Sequence, residues 1–229
     1  SSDKKEKDKS VLLFSLDHGK VWATLKGVKN PKAKMKLACN PFCFGEFILE
    51  EGHSGQIVTN FEVIETFHEI SEDIDKFFEG SAILEILNCM EFSQELPQVF
   101  VLALKTLKTI CFSKVKRVYV LDKFLLELFK ISGVGLVPEK CSGCGSKAFE
   151  KLYINYVDGV LECVSCKSLT SVELSNTTLS ALRILNMTDM EKLSTLKLAE
   201  NSEVELLKVL VRNFESRFDR RLRLMGILS

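Results

Sequence analysis

The stretch Cys141-Ser142-Gly143-Cys144, followed after eighteen residues by Cys163-Val164-Ser165-Cys166, is the most informative part of the sequence. Two residues between cysteines allow a tight turn to present both thiolates on one side, and two such turns complete a tetrahedron around a metal ion. Gly143 and Gly145 give the first turn the backbone freedom that it needs. The spacing lies in the range typical of zinc sites, so it predicts a zinc ribbon at residues 138–170.

The ligand set indicates the role of the metal. Four thiolates leave no open coordination position, so a Zn2+ ion held by this set would be structural rather than catalytic: Cys141, Cys144, Cys163 and Cys166. A redox pair and an iron–sulfur cluster are the alternatives for the same side chains. Between the two turns, residues 149–157 are predicted to form a strand and Asp158-Gly159 a hairpin turn. The remaining cysteines are predicted to be small buried side chains: Cys39, Cys43, Cys89 and Cys111.

The composition is that of a globular protein. The 229 residues are 46% apolar and 27% charged, which gives enough apolar mass for a core in one or two domains. The longest stretch without a charged residue is residues 52–61, only ten positions, whereas a membrane helix needs roughly 20. Residues 1–10 lack the apolar segment of a secretory signal. We therefore expect a cytoplasmic protein without membrane association.

The net charge of zero hides a strong segregation of charge along the chain. Residues 18–45 carry six lysines and no acid, whereas residues 46–95 carry thirteen acids and a single base, Lys76. Two further basic segments follow, with seven bases at residues 105–130 and six at residues 208–224. Lysine and arginine gain affinity for nucleic acid by displacing counterions that are condensed on phosphates. The pattern favours a polyanion-binding surface over solvated faces that differ in sign by chance.

No catalytic motif is found in the sequence. It contains no G-x-S-x-G, no G-x-x-x-x-G-K-[ST] and no H-E-x-x-H, which are the patterns of esterases, P-loop NTPases and zinc proteases. The histidines have no arrangement that indicates a catalytic triad or a metal site: His18, His53 and His68. We expect no enzymatic activity.

Residues 10–68 have the patterns of short strands. Runs at residues 11–14, 21–28, 42–49 and 56–67 are apolar or alternate between apolar and polar residues, and turn residues separate them. Four or five short strands in about 65 residues favour a small barrel.

The second of these runs suggests a contact with nucleic acid. It places Ala23 and Leu25 on one side of a strand and Trp22 and Lys26 on the other. An aromatic ring beside lysines is typical of a platform on which the bases of a single strand stack. The alternative is that Trp22 packs under a loop.

The chain on both sides of the ribbon has the apolar spacing of helices. Residues 73–132 are predicted to form three helices, and three more are predicted at residues 176–186, 189–198 and 202 to about 218. Ser202 and Glu205 have the spacing of a capping box at the start of the last helix. The ribbon therefore interrupts a helical domain. We predict an α+β fold, with a β-barrel domain at residues 1–70 and a helical domain at residues 71–229.

The order of these parts resembles the RecO family of bacterial recombination-repair mediators over nearly the whole chain. The matching pieces are His18-Gly19-Lys20-Val21, Lys26-Gly27-Val28-Lys29, Pro41-Phe42, Ile83-Leu84-Glu85-Ile86-Leu87, the cysteine quartet and residues 210–222. The family usually begins with a strand before the charged turn, and here either residues 1–10 replace that strand or it is missing. The second cysteine turn, Leu161-Glu162-Cys163, is plainer than the glycine-rich, aromatic form common in the family.

The resemblance implies an N-terminal OB-fold and a function in DNA repair in the bacterial cytoplasm, at the nucleoid. RecO proteins bind single- and double-stranded DNA, anneal complementary strands and, with RecR, help to load RecA onto DNA coated by single-stranded DNA-binding protein. The predicted DNA contacts are basic residues of the barrel and of the C-terminal end, together with one aromatic residue: Lys20, Trp22, Lys26, Lys29, Lys32, Lys34, Lys36, Arg217, Arg220, Arg221 and Arg223.

The resemblance also implies a docking site for a partner. In this family the acidic, Phe-ended tail of single-stranded DNA-binding protein docks on the helical domain. A hydrophobic groove beside a cation suits such a tail, and the candidate bases are Lys105, Lys108, Lys116 and Arg117. The alternative is that these bases only solvate helices. The acidic segment at residues 46–95 either faces RecR or compensates charge.

Two other functions fit parts of the sequence. The first is a zinc-ribbon protein–protein adaptor without annealing activity, in which the lysines are incidental. The second is a metal-dependent nuclease or deaminase. The all-cysteine ligand set argues against the second, because such enzymes need an open metal site.

Overall fold

A computed structural model describes residues 8–28 and 35–223 of the chain. The chain divides into two compact units, Ser1–Ile74 and Asp75–Ser229. The first unit is a β-sheet and the second is a helical region that contains the cysteine quartet, so the predicted α+β class is confirmed. No described helix combines the length and the apolar character needed to cross a membrane.

The first unit is built on a four-stranded sheet. Its strands are β1 (Lys9–Ser15), β2 (Gly19–Leu25), β3 (Phe44–Gly52) and β4 (Gly55–Glu65), and the short helix α1 (His68–Glu72) follows them. The spatial order is β1-β2-β4-β3, with a parallel pair of β2 and β4 between two antiparallel hairpins. The chain from β2 to β3 therefore crosses past the position of β4, which is how the sheet acquires its one parallel pair.

This sheet is the N-terminal OB-fold part of the predicted architecture. An OB-fold is a small, partly open barrel of five strands, and the described sheet supplies four of them. The sequence prediction about the first strand concerns residues 1–10. Of these, residues 1–7 lie outside the described residues, whereas Lys9 and Ser10 belong to β1.

One face of the sheet forms the core of the first unit. Ala23 and Leu25 of β2 are 3% and 0% exposed, and they pack with Val58 of β4. The two-residue period of a strand places Trp22 on the opposite face, where its side chain is 66% exposed. The predicted alternation along β2 is confirmed, and Trp22 is not packed under a described loop.

The second unit is centred on a buried helix. Its helices are α2 (Ile74–Cys89), α3 (Leu96–Phe112), α4 (Arg117–Ile131), α5 (Asn176–Met187) and α6 (Ser202–Phe218). Helix α4 packs against α3, α5 and α6, and its Phe124, Leu125 and Phe129 are completely buried. Each such side chain contributes about 1.5–3 kcal/mol when it is buried, so α4 is the main hydrophobic element of this unit.

The segment before α6 differs from the sequence prediction. Residues 189–198 contain only a short 3-10 helix, Met190–Thr195, in place of an α-helix. The predicted capping box of Ser202 and Glu205 is wrong: Asn201 holds the N-cap position without a side-chain cap, and the Ser202 hydroxyl donates to a preceding carbonyl.

The ribbon is a small antiparallel sheet inserted between α4 and α5. Its strands are β5 (Leu152–Asn155), β6 (Val160–Cys163) and β7 (Val172–Glu173), in the order β6-β5-β7. Gly159 occupies the β5–β6 turn with a φ of +61°, a left-handed conformation that glycine adopts without steric cost. Because β6 ends at Cys163, this hairpin leads directly into the second cysteine turn.

Candidate metal centre and nucleic-acid interface

The four cysteines of the ribbon form one cluster. Their Sγ atoms all lie within 4.8 Å of one another, and those of Cys144 and Cys163 are 3.9 Å apart. None of the four is in a disulfide. A tetrahedral site with Zn–S bonds of about 2.3 Å separates its sulfur atoms by about 3.8 Å. The four cysteines are therefore placed close enough together to hold a metal ion of this kind.

Backbone hydrogen bonds build the two cysteine turns. The first turn is closed by a bond from the Gly145 N–H to the Cys141 carbonyl (2.9 Å), and the second by a bond from the Cys166 N–H to the Cys163 carbonyl (3.1 Å). The N–H of Cys163 also donates to the Sγ of Cys141 at 3.2 Å. This last bond joins the two turns, so the local sequence of each turn and the pairing of β5 with β6 cooperate in forming the cluster.

The surroundings of the cluster act differently on its thiols. Burial raises the pKa of Cys141, but the N–H groups of Cys144, Cys163 and Gly143 donate to its sulfur and lower the pKa to about 6. Hydrogen bonds with the neighbouring thiols, chiefly that of Cys144, raise the pKa of Cys166 to about 12. Metal binding therefore releases protons from this cluster, since cysteine binds metal as the thiolate.

Gly143 allows the two turns to approach each other. A Cβ at this position would lie 3.0 Å from the Cβ and 3.1 Å from the Sγ of Cys166. The sequence suggested backbone freedom as its role, but Gly145 is the residue with a positive φ, +71°. Gly143 is needed because it has no side chain.

Nearly the whole chain matches two family models. Residues 1–67 match the model described as Recombination protein O N terminal, and residues 71–225 match Recombination protein O C terminal. The chain belongs to the RecO family. The resemblance predicted from the order of the sequence motifs is thereby confirmed.

Individual RecO proteins from clostridia are similar to this chain across both units. The DNA repair protein RecO of Clostridium novyi is 31% identical over 213 residues, which cover 92% of this chain and 82% of that protein. The DNA repair protein RecO of Clostridium perfringens (strain 13) is 28% identical over 215 residues, or 91% and 85% of the two chains. For the protein of the same name from Clostridium kluyveri the identity is 26% over 231 residues, or 100% and 89%.

In this RecO chain, the barrel residues predicted to bind DNA lie along β2 and after it. Lys20 and Trp22 share the outer face of β2, Lys20 half-buried and Trp22 exposed. Lys26 and Lys36 are exposed and form no ion pair with a described residue. The other three lie outside the described residues: Lys29, Lys32 and Lys34.

The same face of the sheet also carries acidic side chains. Thr24 of β2 pairs with Ile57 of β4, which pairs with Glu50 of β3, so this row of side chains shares the face of Trp22. Glu46 precedes Glu50 by four residues, lies on the same face and stands directly opposite Glu62. The basic and aromatic side chains therefore occupy the β2 side of this face, and acids border them at β3.

The C-terminal arginines divide into one bound and three exposed side chains. Arg217 is half-buried, and its guanidinium donates to the carbonyl oxygens of Asp158 (2.5 Å) and Gly159 (3.2 Å) in the β5–β6 turn. The role of Arg217 in DNA binding stays a prediction, and one of its guanidinium nitrogens is held by these two carbonyl oxygens. The other predicted contacts of this segment are exposed: Arg220, Arg221 and Arg223.

The bases predicted to bind the partner tail are not equivalent. Lys116 pairs with the buried Glu203 at 3.1 Å, and the hydrogen bond from this pair raises the pKa of Lys116. Its side chain is 65% exposed, and its role in binding the partner tail stays a prediction. Lys105 lies 3.9 Å from Glu191, but both side chains are more than half exposed, and such a pair restrains a lysine only weakly.

An exposed apolar pair beside two of these lysines was missed by the sequence analysis. Val101 and Phe112 of α3 are 49% and 60% exposed. With Lys105 and Lys108 they are spaced at i, i+4, i+7 and i+11, which places all four on one face of the helix. The buried side of α3 has the same apolar period, so only packing shows which apolar residues face outward. The side chain of Arg117 is not part of the described structure.

Proposed function

We propose that the chain is a recombination mediator of DNA repair. It binds single- and double-stranded DNA, anneals complementary strands and helps to load RecA onto DNA coated by single-stranded DNA-binding protein. The observation that carries this proposal is the match of both RecO family models, at residues 1–67 and 71–225, supported by relatives that are named DNA repair proteins. The mediator makes and breaks no covalent bond, and it acts in the cytoplasm at the nucleoid.

The β2 side of the sheet is the proposed contact for a single strand. The exposed ring of Trp22 offers a stacking surface, and stacking contributes about 1–3 kcal/mol per base without regard to sequence. Lys20 on the same face, with Lys26 and Lys36, supplies cations for phosphates. The acids at β3 repel phosphates and restrict the strand to the β1–β2 side. The proposed contact also includes Lys29, Lys32 and Lys34.

A second set of cations makes annealing possible. Two strands repel each other through their phosphates, and cations that neutralise both allow complementary bases to meet. The exposed Arg220, Arg221 and Arg223 are the proposed contacts of the helical unit. Neither set contacts bases by hydrogen bonds in this proposal, so the affinity depends weakly on DNA sequence.

The proposed metal of the cysteine cluster is Zn2+, in a structural role. The four sulfur atoms occupy all positions of a tetrahedral ion. Zinc bound in this way supplies folding energy to a small sheet that lacks a large core of its own.

Two protein partners are proposed. The exposed face of α3 suits the Phe-ended acidic tail of single-stranded DNA-binding protein, because Val101 and Phe112 offer apolar surface and Lys105 and Lys108 offer cations. A synthetic tail peptide tests this: Phe112→Asp should weaken its binding at least tenfold, whereas Ile184→Asp on α5 should not. RecR is the second partner, on the basis of the family.

One annealing assay tests the main proposal. The chain is titrated with fluorescent complementary oligonucleotides at several salt concentrations, and we expect faster annealing and an affinity that falls steeply with salt. A chain that binds DNA weakly, independently of salt, and does not accelerate annealing would instead be a zinc-ribbon adaptor.

A further inference from the structure

The C-terminal part of α6 is attached to the ribbon through two arginines. Arg217 donates to the carbonyl oxygens of Asp158 and Gly159, at 2.5 and 3.2 Å. The guanidinium of Arg212 lies over the ring of Tyr156, 4.3 Å from its centroid. All three acceptor groups belong to the turn between β5 and β6. The end of α6 is therefore bound to one turn of the ribbon.

The turn is shaped to receive Arg217. A Cβ at Gly159 would overlap the Nε atom of Arg217. That Nε atom is buried and has no hydrogen-bond partner among the described residues, and the guanidinium lies close to Gly159. The absence of a side chain at residue 159 therefore leaves the space that the guanidinium occupies.

The opposite end of the same hairpin holds a proposed metal ligand. Cys163 ends β6 four residues after Gly159, and its N–H donates to the Sγ of Cys141 at 3.2 Å. Leu161 of β6 accepts a hydrogen bond from the Ser142 N–H at 2.8 Å. Because β5 and β6 pair along their full length, a displacement of the cysteine turns is transmitted to the turn that Arg217 binds.

The chain beyond α6 is also fixed in place. Leu222 is 7% exposed and donates its N–H to Glu215 at 2.9 Å. The N–H of Arg223 donates to Glu85 at 2.7 Å. The backbone is thereby held while the side chains of Arg220, Arg221 and Arg223 stay exposed. Their position depends on the last turns of α6.

We propose that Arg217 is a positioning residue through which the metal-loaded ribbon holds the C-terminal arginines in place for nucleic acid. Metal at the cysteines orders the hairpin, and the hairpin orders the end of α6. Linkage requires the reverse as well: a docked α6 strengthens metal binding by the same factor. Only the effect on DNA rests on the function proposed above, because the coupling of metal to α6 exists without DNA.

The first test measures zinc affinity of the full chain by competition with a chromophoric chelator. Arg217→Ala should weaken zinc binding at least fivefold. Lys208→Ala, which removes an exposed cation from the same helix, should leave it unchanged. Gly159→Ala, which disturbs the same contact by a change in the ribbon, should also weaken zinc binding. Its effect should be smaller in the Arg217→Ala background than in the wild type. Equal zinc affinities of the wild type and Arg217→Ala would overturn the proposal.

The second test follows backbone amide hydrogen exchange at residues 217–223 with and without a chelator. Removal of metal should speed exchange in the wild type to the rate seen in Arg217→Ala, whose rate should not respond to metal. Protection that persists in the wild type after metal removal would also overturn the proposal. A far-UV circular dichroism spectrum confirms that the variant retains its helices.

A DNA titration separates this proposal from the proposed function. The double variant Arg220→Ala/Arg221→Ala should weaken DNA binding and leave zinc affinity unchanged. If DNA affinity does not change while the coupling of zinc to α6 is measured, the DNA role of these arginines fails and the coupling stands. If DNA affinity falls and no coupling is found, the function stands and the positioning role of Arg217 fails.

Discussion

Asp122 is a carboxylic acid in the hydrophobic centre of the helical unit. Its side chain is 0% exposed, and neither oxygen has a hydrogen-bond partner among the described residues. Burial raises its pKa well above the usual value, and the charge of Glu203 raises it further. The folded chain therefore holds the neutral acid over a pH range in which the unfolded chain has released the proton, near and above pH 4.

The sign of this shift leads to a prediction about stability. A raised folded-state pKa contributes stability that is present below the unfolded-state pKa and is lost as the pH rises, at up to about 1.4 kcal/mol per pH unit. Asp122→Asn replaces the titrating carboxyl group by a neutral amide and should therefore raise the free energy of unfolding at neutral pH. Urea unfolding at pH 5 and pH 7 measures it, with the exposed Asp219→Asn as control. If the free energy of unfolding changes equally with pH in the wild type and in Asp122→Asn, Asp122 does not cause the pH dependence of stability.

Cys163 is a proposed metal ligand, and its N–H donates to the sulfur of Cys141 in the same cluster. Cys163→Ala should abolish stoichiometric metal binding and lower the thermal stability, because three thiolates leave the tetrahedron incomplete. The loss of metal affinity should exceed the 10–100-fold that is typical when a residue hydrogen-bonded to a metal ligand is mutated. Elemental analysis after dialysis measures the metal. Cys39→Ser, at a half-buried position outside the cluster, should retain one metal per chain, and a metal-loaded Cys163→Ala would locate the metal elsewhere.

At the level of secondary structure, helix α6 begins where the sequence predicted, but Glu205 does not have the capping role on which that prediction was based. The helix begins at Ser202, as the capping-box pattern predicted. Glu205, however, does not reach back along its own helix. It accepts hydrogen bonds from Ser175 and Thr178 at the start of α5, at 3.1 and 2.8 Å. The residue therefore joins two helices that are distant in sequence.

A pair of double-mutant cycles distinguishes these two roles. Glu205→Ala should lower the free energy of unfolding by about 1–2 kcal/mol, since hydrogen bonds to a charged group are lost. Its effect should couple with that of Thr178→Val by about 1 kcal/mol. The effects of Glu205→Ala and Ser202→Ala should be additive. Urea unfolding measures both cycles. If Glu205→Ala coupled with Ser202→Ala and not with Thr178→Val, Glu205 would act in a capping box after all.

For the molecule as a whole, the basic segments of the sequence give the described residues two sets of cations that are proposed to contact DNA. One set lies on and after β2, bordered by the acids of β3, and the other follows α6. Each set belongs to a different unit of the chain. The proposal of DNA binding therefore predicts that each set contributes on its own to the affinity.

Charge reversal on the barrel measures the contribution of the first set. Lys26→Glu with Lys36→Glu should weaken binding of a single-stranded oligonucleotide and reduce the slope of log K against log salt by about 0.7 for each lost phosphate contact. Lys192→Glu with Lys197→Glu makes the same charge change on an exposed part of the helical unit. An unchanged slope in the first variant, or an equal reduction in the control, would remove these lysines from the proposed DNA surface.

Features that depend on neighbours in the sequence were predictable. The two-residue spacing of the cysteines, the alternation along β2 and the helical period of α4 are local patterns, and the structure contains all three. The 3-10 helix at Met190–Thr195 was not predicted. Its residues have the apolar spacing of a helix, and the segment packs against α3 and α4, which are distant in the sequence.

The sequence by itself determined the α+β class, the family and the four-thiolate cluster, because chain period and motif spacing set these directly. Only the tertiary structure decided that Arg217 binds the ribbon turn, that Glu205 joins α5 to α6 and that acids share the face of Trp22. The physical reason is that a charged side chain acts through whatever group lies within a few ångströms of it. For these residues that group is contributed by a segment remote in the chain, and no local pattern records it.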